Sequence, residues 1–577
     1  MSTRGGRPAA HAWAGTGESI GLGERIGVGV IVMLVLAGAF VWLTGQLAGT
    51  LFGGGWPHVA TSAFGETLAR LPSHLSDPRA AWPRAARPDL PGIAGFIGAF
   101  AIELLAAISL IAVVRGRRRQ HAPHAREHGR GRAAQWARGS ELRVLQTGGH
   151  DAGRVILGRS RGTLLAAEPR QSVIVVAPTQ TGKTSGLAVP ALLEWQGPAI
   201  ALSVKSDLLG DTLARRQQLG DVWVYDPTGA TGVPCSGWTP LNACEDWRGA
   251  QRTASWLTSA AAPRRSTTLA DADFWYAAAA KLLAPLLFAA ATSGRTMADV
   301  VRWVDTQEES EVRAALEASG NEAAMTAAGA SFAREERQRS SIYTTTETIL
   351  AAYADPGVLD SALVSELEPD RLLDGGSHTA YLCAPLDEQR RLRPLFVTAL
   401  EQILARVYEL ASAKGGPIEP ALLIVMDEAA NIAPLPDLDA LASTGAGQGV
   451  QLLTIVQDLA QVREQWGGRA NTIINNHRAK ILGAGISDPD TLDYAARILG
   501  DEQVRQVSST AGEEGRGSTT QSTVYRPIAP GHVLREGAPG TGVLIYGHLP
   551  PAHLHLRPWF NERELRRLAA AEGKATR

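Results

Sequence analysis

Eight short β-rich runs recur through the C-terminal part of the chain, and their arrangement constrains the fold more than any other feature. They are Ser172–Ala177, Ala199–Val204, Val222–Tyr225, Thr379–Cys383, Leu422–Met426, Val450–Val456, Ala479–Leu482 and Gly542–Tyr546. Most are continuous apolar segments rather than alternating ones, the pattern of strands buried on both faces of a parallel sheet. Helical patterns lie between them, so the order reads βαβα and the fold class is α/β. From about Ala250 to Glu366 the strand signal lapses. Ala-rich amphipathic helical sequence replaces it, including FWYAAAAKLLAPLLFAAA from Phe274. This predicts an all-α domain inserted into the α/β domain. Ser508–Thr523, rich in Ser, Thr and Gly, reads as an exposed loop or edge excursion.

The N-terminal part is different. Ile26–Phe52 is 27 residues without a charge, enough to span a ~30 Å hydrocarbon core with tilt. Ile93–Val114 carries one charge, Glu103, and runs into Arg115, Arg117, Arg118 and Arg119. The arginine cluster, with Arg4, Arg7 and Arg25, predicts two transmembrane helices with both ends cytoplasmic and Gly53–Gly92 outside. The expected organisation is a cytoplasmic tail at 1–25 and a two-helix anchor at 26–114, then a basic Gly/Arg/His-rich linker at 115–140. A nucleotide-binding domain follows in two parts, 141–249 and 367–577, with the helical insert at 250–366. The localisation implied is the cell membrane, multi-pass, with the soluble part in the cytoplasm.

Charge follows this division. Residues 1–140 hold 15 Arg, no Lys and 7 Asp/Glu, whereas the rest holds 41 Lys/Arg against 50 Asp/Glu. A soluble part that handles nucleic acid must therefore do so through a local positive surface, such as a pore lining. With 577 residues, 45% apolar and 20% charged, the chain is multidomain, and wholesale disorder or a fibrous class is excluded. Three cysteines, Cys235, Cys244 and Cys383, exclude a disulfide framework, and their spacing is not that of a zinc site.

The run Ser172–Ala177 is followed by Pro178-Thr179-Gln180-Thr181-Gly182-Lys183-Thr184-Ser185 and then a helical segment. Strand, loop and helix in this order are the context of a phosphate-binding loop. Backbone N–H groups from Thr179 to Ser185 and the helix N-terminus would cradle phosphates, Lys183 would reach the β and γ phosphates, and the Thr184 hydroxyl would ligate Mg²⁺. ATP and Mg²⁺ are the cofactors this implies. Against the pattern G-x-x-x-x-G-K-[ST], the first glycine is Ala177, a mild departure at a strand end.

A second apolar strand, Leu422–Met426, ends in Asp427-Glu428. In P-loop motors such an aspartate holds the water shell of Mg²⁺, and the adjacent glutamate is placed to orient and deprotonate the attacking water. Thirty residues after Asp427, the strand Val450–Val456 ends in Gln457, a polar group able to hydrogen-bond the γ-phosphate or the water.

At these residues the chain resembles the TraG-type conjugative coupling proteins of type IV secretion, membrane-anchored RecA-like ATPases related to the FtsK and HerA translocases. The resemblance is carried by Ala177–Leu193, Trp238–Cys244, Ile424–Val462, Ile474–Ile481 and Tyr525–Leu534. It implies a RecA-like domain with a membrane-distal all-α insert. It also implies a homohexameric ring that moves single-stranded DNA, or a relaxase–DNA substrate, toward the components of a secretion channel. Many relatives place an arginine in the Gly-rich turn before the sensor strand, from which it reaches the neighbouring subunit's nucleotide. Here that turn is Gly445-Ala446-Gly447-Gln448-Gly449, without arginine, and Arg478 is the candidate to act in trans. Two functions follow from the sequence. One is an ATP-driven DNA-translocating coupling protein. The other is a membrane docking platform that binds nucleotide, hydrolyses it weakly and recruits secretion substrates.

Overall fold

The computed structural model describes residues 38–59, 63–120, 133–149, 153–203, 206–262, 269–510 and 518–570. The chain divides into two compact units, Met1–Gly131 and Arg132–Arg577.

In the first unit, residues 38–52 and Ile93–Gln120 are helical. Thr44 donates its hydroxyl to Glu103 Oε2 at 2.6 Å, joining the two helices through polar groups that are both buried. Trp82, on the segment between them, is buried and lies where a side chain at Gly45 would be. Much of the first expected span lies outside the described residues. The second falls in the helix Ile93–Gln120, which also takes in Arg115–Arg119. Its apolar stretch is described over Ile93–Ser109, and the sequence stays apolar to Val114. Among the described residues, the helix long and apolar enough to cross a membrane is Asp273–Thr292, in the second unit. There Ala279, Leu282, Leu283, Leu286 and Leu287 are buried in the core, which is why its composition is so apolar.

The second unit is built on an 11-stranded sheet. Its strands are β1 (Ile156–Ser160), β2 (Thr163–Ala166), β3 (Val173–Val176), β4 (Ala199–Ser203), β5 (Val222–Tyr225), β6 (Thr379–Cys383), β7 (Leu422–Met426), β8 (Val450–Val456), β9 (Ala479–Gly483), β12 (Thr541–Tyr546) and β13 (Ala552–His555). Strands β10 (Asp501–Thr510) and β11 (Ser518–Pro527) pair only with each other. The sheet order is β2-β1-β13-β12-β9-β3-β8-β7-β4-β6-β5. From β9 to β5 every pairing is parallel, and from β9 to β2 every pairing is antiparallel. The strands β3, β4, β6, β7 and β8 are buried along their whole length, as continuous apolar runs require.

Between β5 and β6 the chain is helical, with Trp247–Ala261, Leu269–Thr292, Met297–Asp305, Ser310–Ser319, Glu322–Phe332 and Glu336–Leu350 as its main elements. Their core is continuous with one face of the sheet. The segment Ser508–Thr523, expected as an exposed loop or edge excursion, lies largely in the β10–β11 ribbon, which pairs in unbroken register from Asp501↔Pro527 to Thr510↔Ser518.

Candidate nucleotide-binding site

Parallel strands put their C-terminal ends on one edge. The loop after β3, the Asp427-Glu428 pair after β7 and Gln457 after β8 therefore share that edge. Strand β8 lies between β3 and β7. It stitches them together, since Ala177 N–H donates to Val456 O at 3.1 Å and Ala429 N–H to Ile455 O at 3.0 Å.

The loop itself is held by its own polar groups. Gly182 has φ +81° and Gln180 φ +62°, left-handed conformations that turn the chain tightly. Thr179 and Gln180 are exposed at the tip, and Thr181 and Lys183 are buried. Thr181 donates its hydroxyl to Pro178 O at 2.8 Å. Lys183 Nζ donates to Ala177 O at 2.9 Å and Pro178 O at 3.1 Å. Ser185 lies in the helical turn Thr184–Ala188 that follows. Ala177 replaces the first glycine of the motif because its neighbour makes room. A Cβ on Gly483 of β9 would sit 2.6 Å from the Ala177 Cβ. The two positions share one space between the neighbouring strands β3 and β9.

The last strands close over this loop. Gly540 N–H donates to Thr181 O at 3.1 Å and Arg557 N–H to Gly186 O at 3.0 Å. The buried Arg557 guanidinium bonds both oxygens of Glu194 at 2.9 Å, and Glu562 at 2.7 Å, pinning the end of the helix that the loop opens.

The Thr184 hydroxyl donates to Asp427 Oδ2 at 2.9 Å. The other carboxylate oxygen, Oδ1, is buried with no hydrogen-bond partner among the described residues. Burial is the main reason that Asp427 is pushed up to about 6. The Thr184 hydrogen bond and the Lys183 charge oppose the rise, and Glu428 and Asp207 add to it. A buried, unmatched carboxylate oxygen beside a hydroxyl is a donor set that suits a hydrated Mg²⁺.

Glu428 has φ +68°, unusual for a residue with a side chain. Asn431 Nδ2 donates to its Oε2 at 3.2 Å. Gln461 Nε2 donates in turn to Asn431 Oδ1 at 3.3 Å, and Gln457 N–H donates to Gln461 Oε1 at 3.0 Å. Neither Asn431 nor Gln461 is among the residues expected from sequence. One signal for Gln461 was present, because Asp458 is an N-cap whose side chain accepts from Gln461 N–H and D-x-x-Q is a helix-start pattern.

Arg478 lies elsewhere. It precedes Ala479, the first residue of β9, and so sits at the opposite edge of the sheet from Lys183, Asp427, Glu428 and Gln457. Its guanidinium pairs with Glu168 at 2.9 Å and stacks over Tyr546 at 5.5 Å. The residues before the sensor strand also differ from expectation. Leu438–Gln448 is a helix that takes in Gly445, Ala446, Gly447 and Gln448, and Gly449 alone forms the cap, at φ +91° against Ile418.

A parallel sheet with a phosphate-binding loop on one strand, an acidic strand end two positions away and a polar-ended strand between them defines a P-loop nucleotide-binding protein. The family described as Type IV secretory system Conjugative DNA transfer matches residues 136–568, and the chain belongs to it. Similar proteins include Conjugal transfer protein TraG of Agrobacterium fabrum, 27% identical over 68% of this chain and 61% of that protein. Conjugal transfer protein TraG of Escherichia coli is 25% identical over 64% of this chain and 62% of its own length. The chain thus spans about three-fifths of the length of these relatives. Among solved structures, the bacterial conjugative coupling protein TrwBdeltaN70 in an unbound form matches with TM-score 0.56 and 20% identity, over 74% of this chain and 93% of that one. Plasmid coupling protein TrwB in complex with ADP and Mg²⁺ matches with TM-score 0.56 and 18% identity, over 74% and 94%. The mixed α/β fold with its large parallel sheet is the fold of these coupling proteins.

Proposed function

We propose that the chain is a membrane-anchored ATPase that couples DNA, or a relaxase-bound DNA, to a conjugation channel and drives its transfer by ATP hydrolysis. The observation that carries this is the Thr184–Asp427 hydrogen bond with Asp427 Oδ1 left unpartnered beside it, on the edge that also carries Lys183, Glu428 and Gln457. In this reading Lys183 exchanges its bonds to Ala177 O and Pro178 O for nucleotide phosphate oxygens. Thr184 and Asp427 hold Mg²⁺, which neutralises phosphate charge when bound. Glu428 takes the proton of the attacking water, and Gln457 contacts the γ-phosphate or that water. TrwB in complex with ADP and Mg²⁺ is a protein of the same fold, which supports nucleotide and magnesium as ligands here.

Anchoring through the N-terminal segments is part of the proposal. It is supported by the arginine cluster Arg115–Arg119 and by Ile97, Phe100, Leu105 and Ile108, which are exposed on the helix Ile93–Gln120. A homohexameric ring is proposed from the family resemblance. The docking-platform reading has two observations in its favour, that Leu438–Gly449 carries no arginine and that residues 141–577 hold 41 Lys/Arg against 50 Asp/Glu. ATP turnover of the full chain, with and without single-stranded and double-stranded DNA, separates the two. DNA-stimulated turnover supports the motor, and nucleotide binding without turnover supports the platform.

A further inference from the structure

We infer that Asn431 and Gln461 are positioning residues that transmit the state of the β8 end to the Glu428 carboxylate. The inference rests on the reading of Glu428 as the water-activating base. Four hydrogen-bonding groups form one chain: the Glu428 carboxylate, the Asn431 amide, the Gln461 amide and the Gln457 backbone N–H, joined at 3.2, 3.3 and 3.0 Å.

The chain has a fixed direction. A carboxylate only accepts, so Asn431 must present Nδ2 to it and Oδ1 to Gln461. A backbone N–H only donates, so Gln461 must present Oε1 to Gln457 and Nε2 to Asn431. Each end therefore dictates the orientation of both amides, and neither amide can flip without breaking two bonds. The backbone reinforces the arrangement. Glu428 is held at φ +68° while Asn431 N–H donates to Glu428 O at 2.9 Å, a tight turn that brings the two side chains together. Gln461 is fixed at the other end by its N–H bond to Asp458 Oδ1 at 2.7 Å. Among the described residues, Asn431 is the hydrogen-bond partner that the structure gives the Glu428 carboxylate. What the end of β8 contacts thus reaches Glu428 through two side chains that need not touch nucleotide.

The test uses the full-length protein in detergent and two independent readouts. In steady-state turnover, Asn431→Ala and Gln461→Ala should each lower kcat about tenfold or more, with KM for Mg-ATP within about twofold of wild type, because a misplaced base loses rate without losing binding. Asn431→Asp, which keeps the size but sets an anion against Glu428 and removes the donor, should lose at least as much. Combining Asn431→Ala with Glu428→Gln should cost no more than Glu428→Gln alone, since Asn431 acts through Glu428. The second readout needs no hydrolysis. In the nucleotide-free chain, Asn431→Ala should speed hydrogen exchange at the Gln457 amide, which it does not touch, about fivefold, the effect of losing one ordinary hydrogen bond's support. Additive losses in the double variant, wild-type kcat in the Asn431 variants, or unchanged exchange at Gln457 would each overturn the relay. If Glu428→Gln itself turns over at the wild-type rate, the base assignment falls, and the exchange result still decides whether Asn431 couples the two ends.

Discussion

Replacing Asp427 with asparagine should change the pH dependence of stability in the nucleotide-free chain while weakening its Mg²⁺-dependent response to Mg-ATP. Burial pushes Asp427 from its usual 3.8 to about 6. At ~1.4 kcal/mol per pH unit, the folded state holds the ionised carboxylate at a cost of about 3 kcal/mol near neutral pH. The sign follows from proton binding. Between the two values the folded chain binds more protons at this site than the unfolded one, so stability from this group is full below about pH 4 and is lost as pH rises through about 6. Asparagine does not titrate. It can still accept from Thr184, and its amide nitrogen would replace the unpartnered Oδ1, a penalty independent of pH. The unit from Arg132 to Arg577 has 446 residues. At ~2.1 cal/mol/K per residue, its unfolding entropy near 60 °C is about 0.9 kcal/mol/K. The melting temperature of Asp427→Asn relative to wild type should therefore rise by about 3 °C between pH 4 and pH 7.5, read by differential scanning fluorimetry without nucleotide. Wild type at a hundredfold excess of Mg-ATP over its Kd should gain about 2.7 kcal/mol, and the variant should lose the Mg²⁺-dependent part of that gain. A difference that stays flat with pH, or falls as pH rises, would refute the argument that a desolvated carboxylate is kept here for a cation.

Lys183→Ala should abolish the thermal shift that ATP gives, measured in the same assay. Glu428→Gln should leave that shift near wild type while lowering turnover ~10²-fold or more, as loss of a general base does; wild-type turnover at saturating Mg-ATP would remove Glu428 from the role. Gly483→Ala should overpack the contact with Ala177 at a cost of ~1–3 kcal/mol and weaken nucleotide binding by isothermal titration. Adding Ala177→Gly should restore both, because the space is shared. Arg557→Met leaves Glu194 and Glu562 without their common cation. At ~3–5 kcal/mol for a broken buried pair, this should lower the melting temperature by about 3–5 °C.

The sequence made the parallel half of the sheet legible because strands covered on both faces have no polar alternative. Val222–Tyr225, Thr379–Cys383, Leu422–Met426 and Val450–Val456 were expected at their observed bounds. The antiparallel half was less visible. Strand β1 reads ILGRS and β13 AHLH, short segments broken by Gly, Arg and His, and they pair with each other across nearly the whole second unit. The β10–β11 ribbon buries little, so its Gln, Ser and Thr residues read as loop. Lys183, Thr184 and Asp427 could be singled out because phosphate and Mg²⁺ demand particular side chains. The Ala177–Gly483 exchange and the Asn431–Gln461 pairing could not, because they depend on register and on a turn at positive φ rather than on spacing. Arg478, expected to act on a neighbouring subunit's nucleotide, stands apart from its own subunit's site. A residue just before a parallel strand lies a full strand length from the phosphate edge, whatever its charge.

The pairing of the earliest strands with the latest sets the order in which a ribosome can deliver a working protein. Strand β3 carries the phosphate loop, yet it has no neighbour until Val450–Val456 and Ala479–Gly483 have been made, and β1, paired early with β2, gains its second neighbour only with Ala552–His555. At ~5–20 residues per second, the first unit, which ends at Gly131, is complete well over ten seconds before the sheet can close. Gly540 and Arg557, which clasp the loop, arrive last of all. A chain cut short before them lacks the bonds to Thr181 O and Gly186 O that clasp the loop, so interrupted synthesis leaves the loop open on that side.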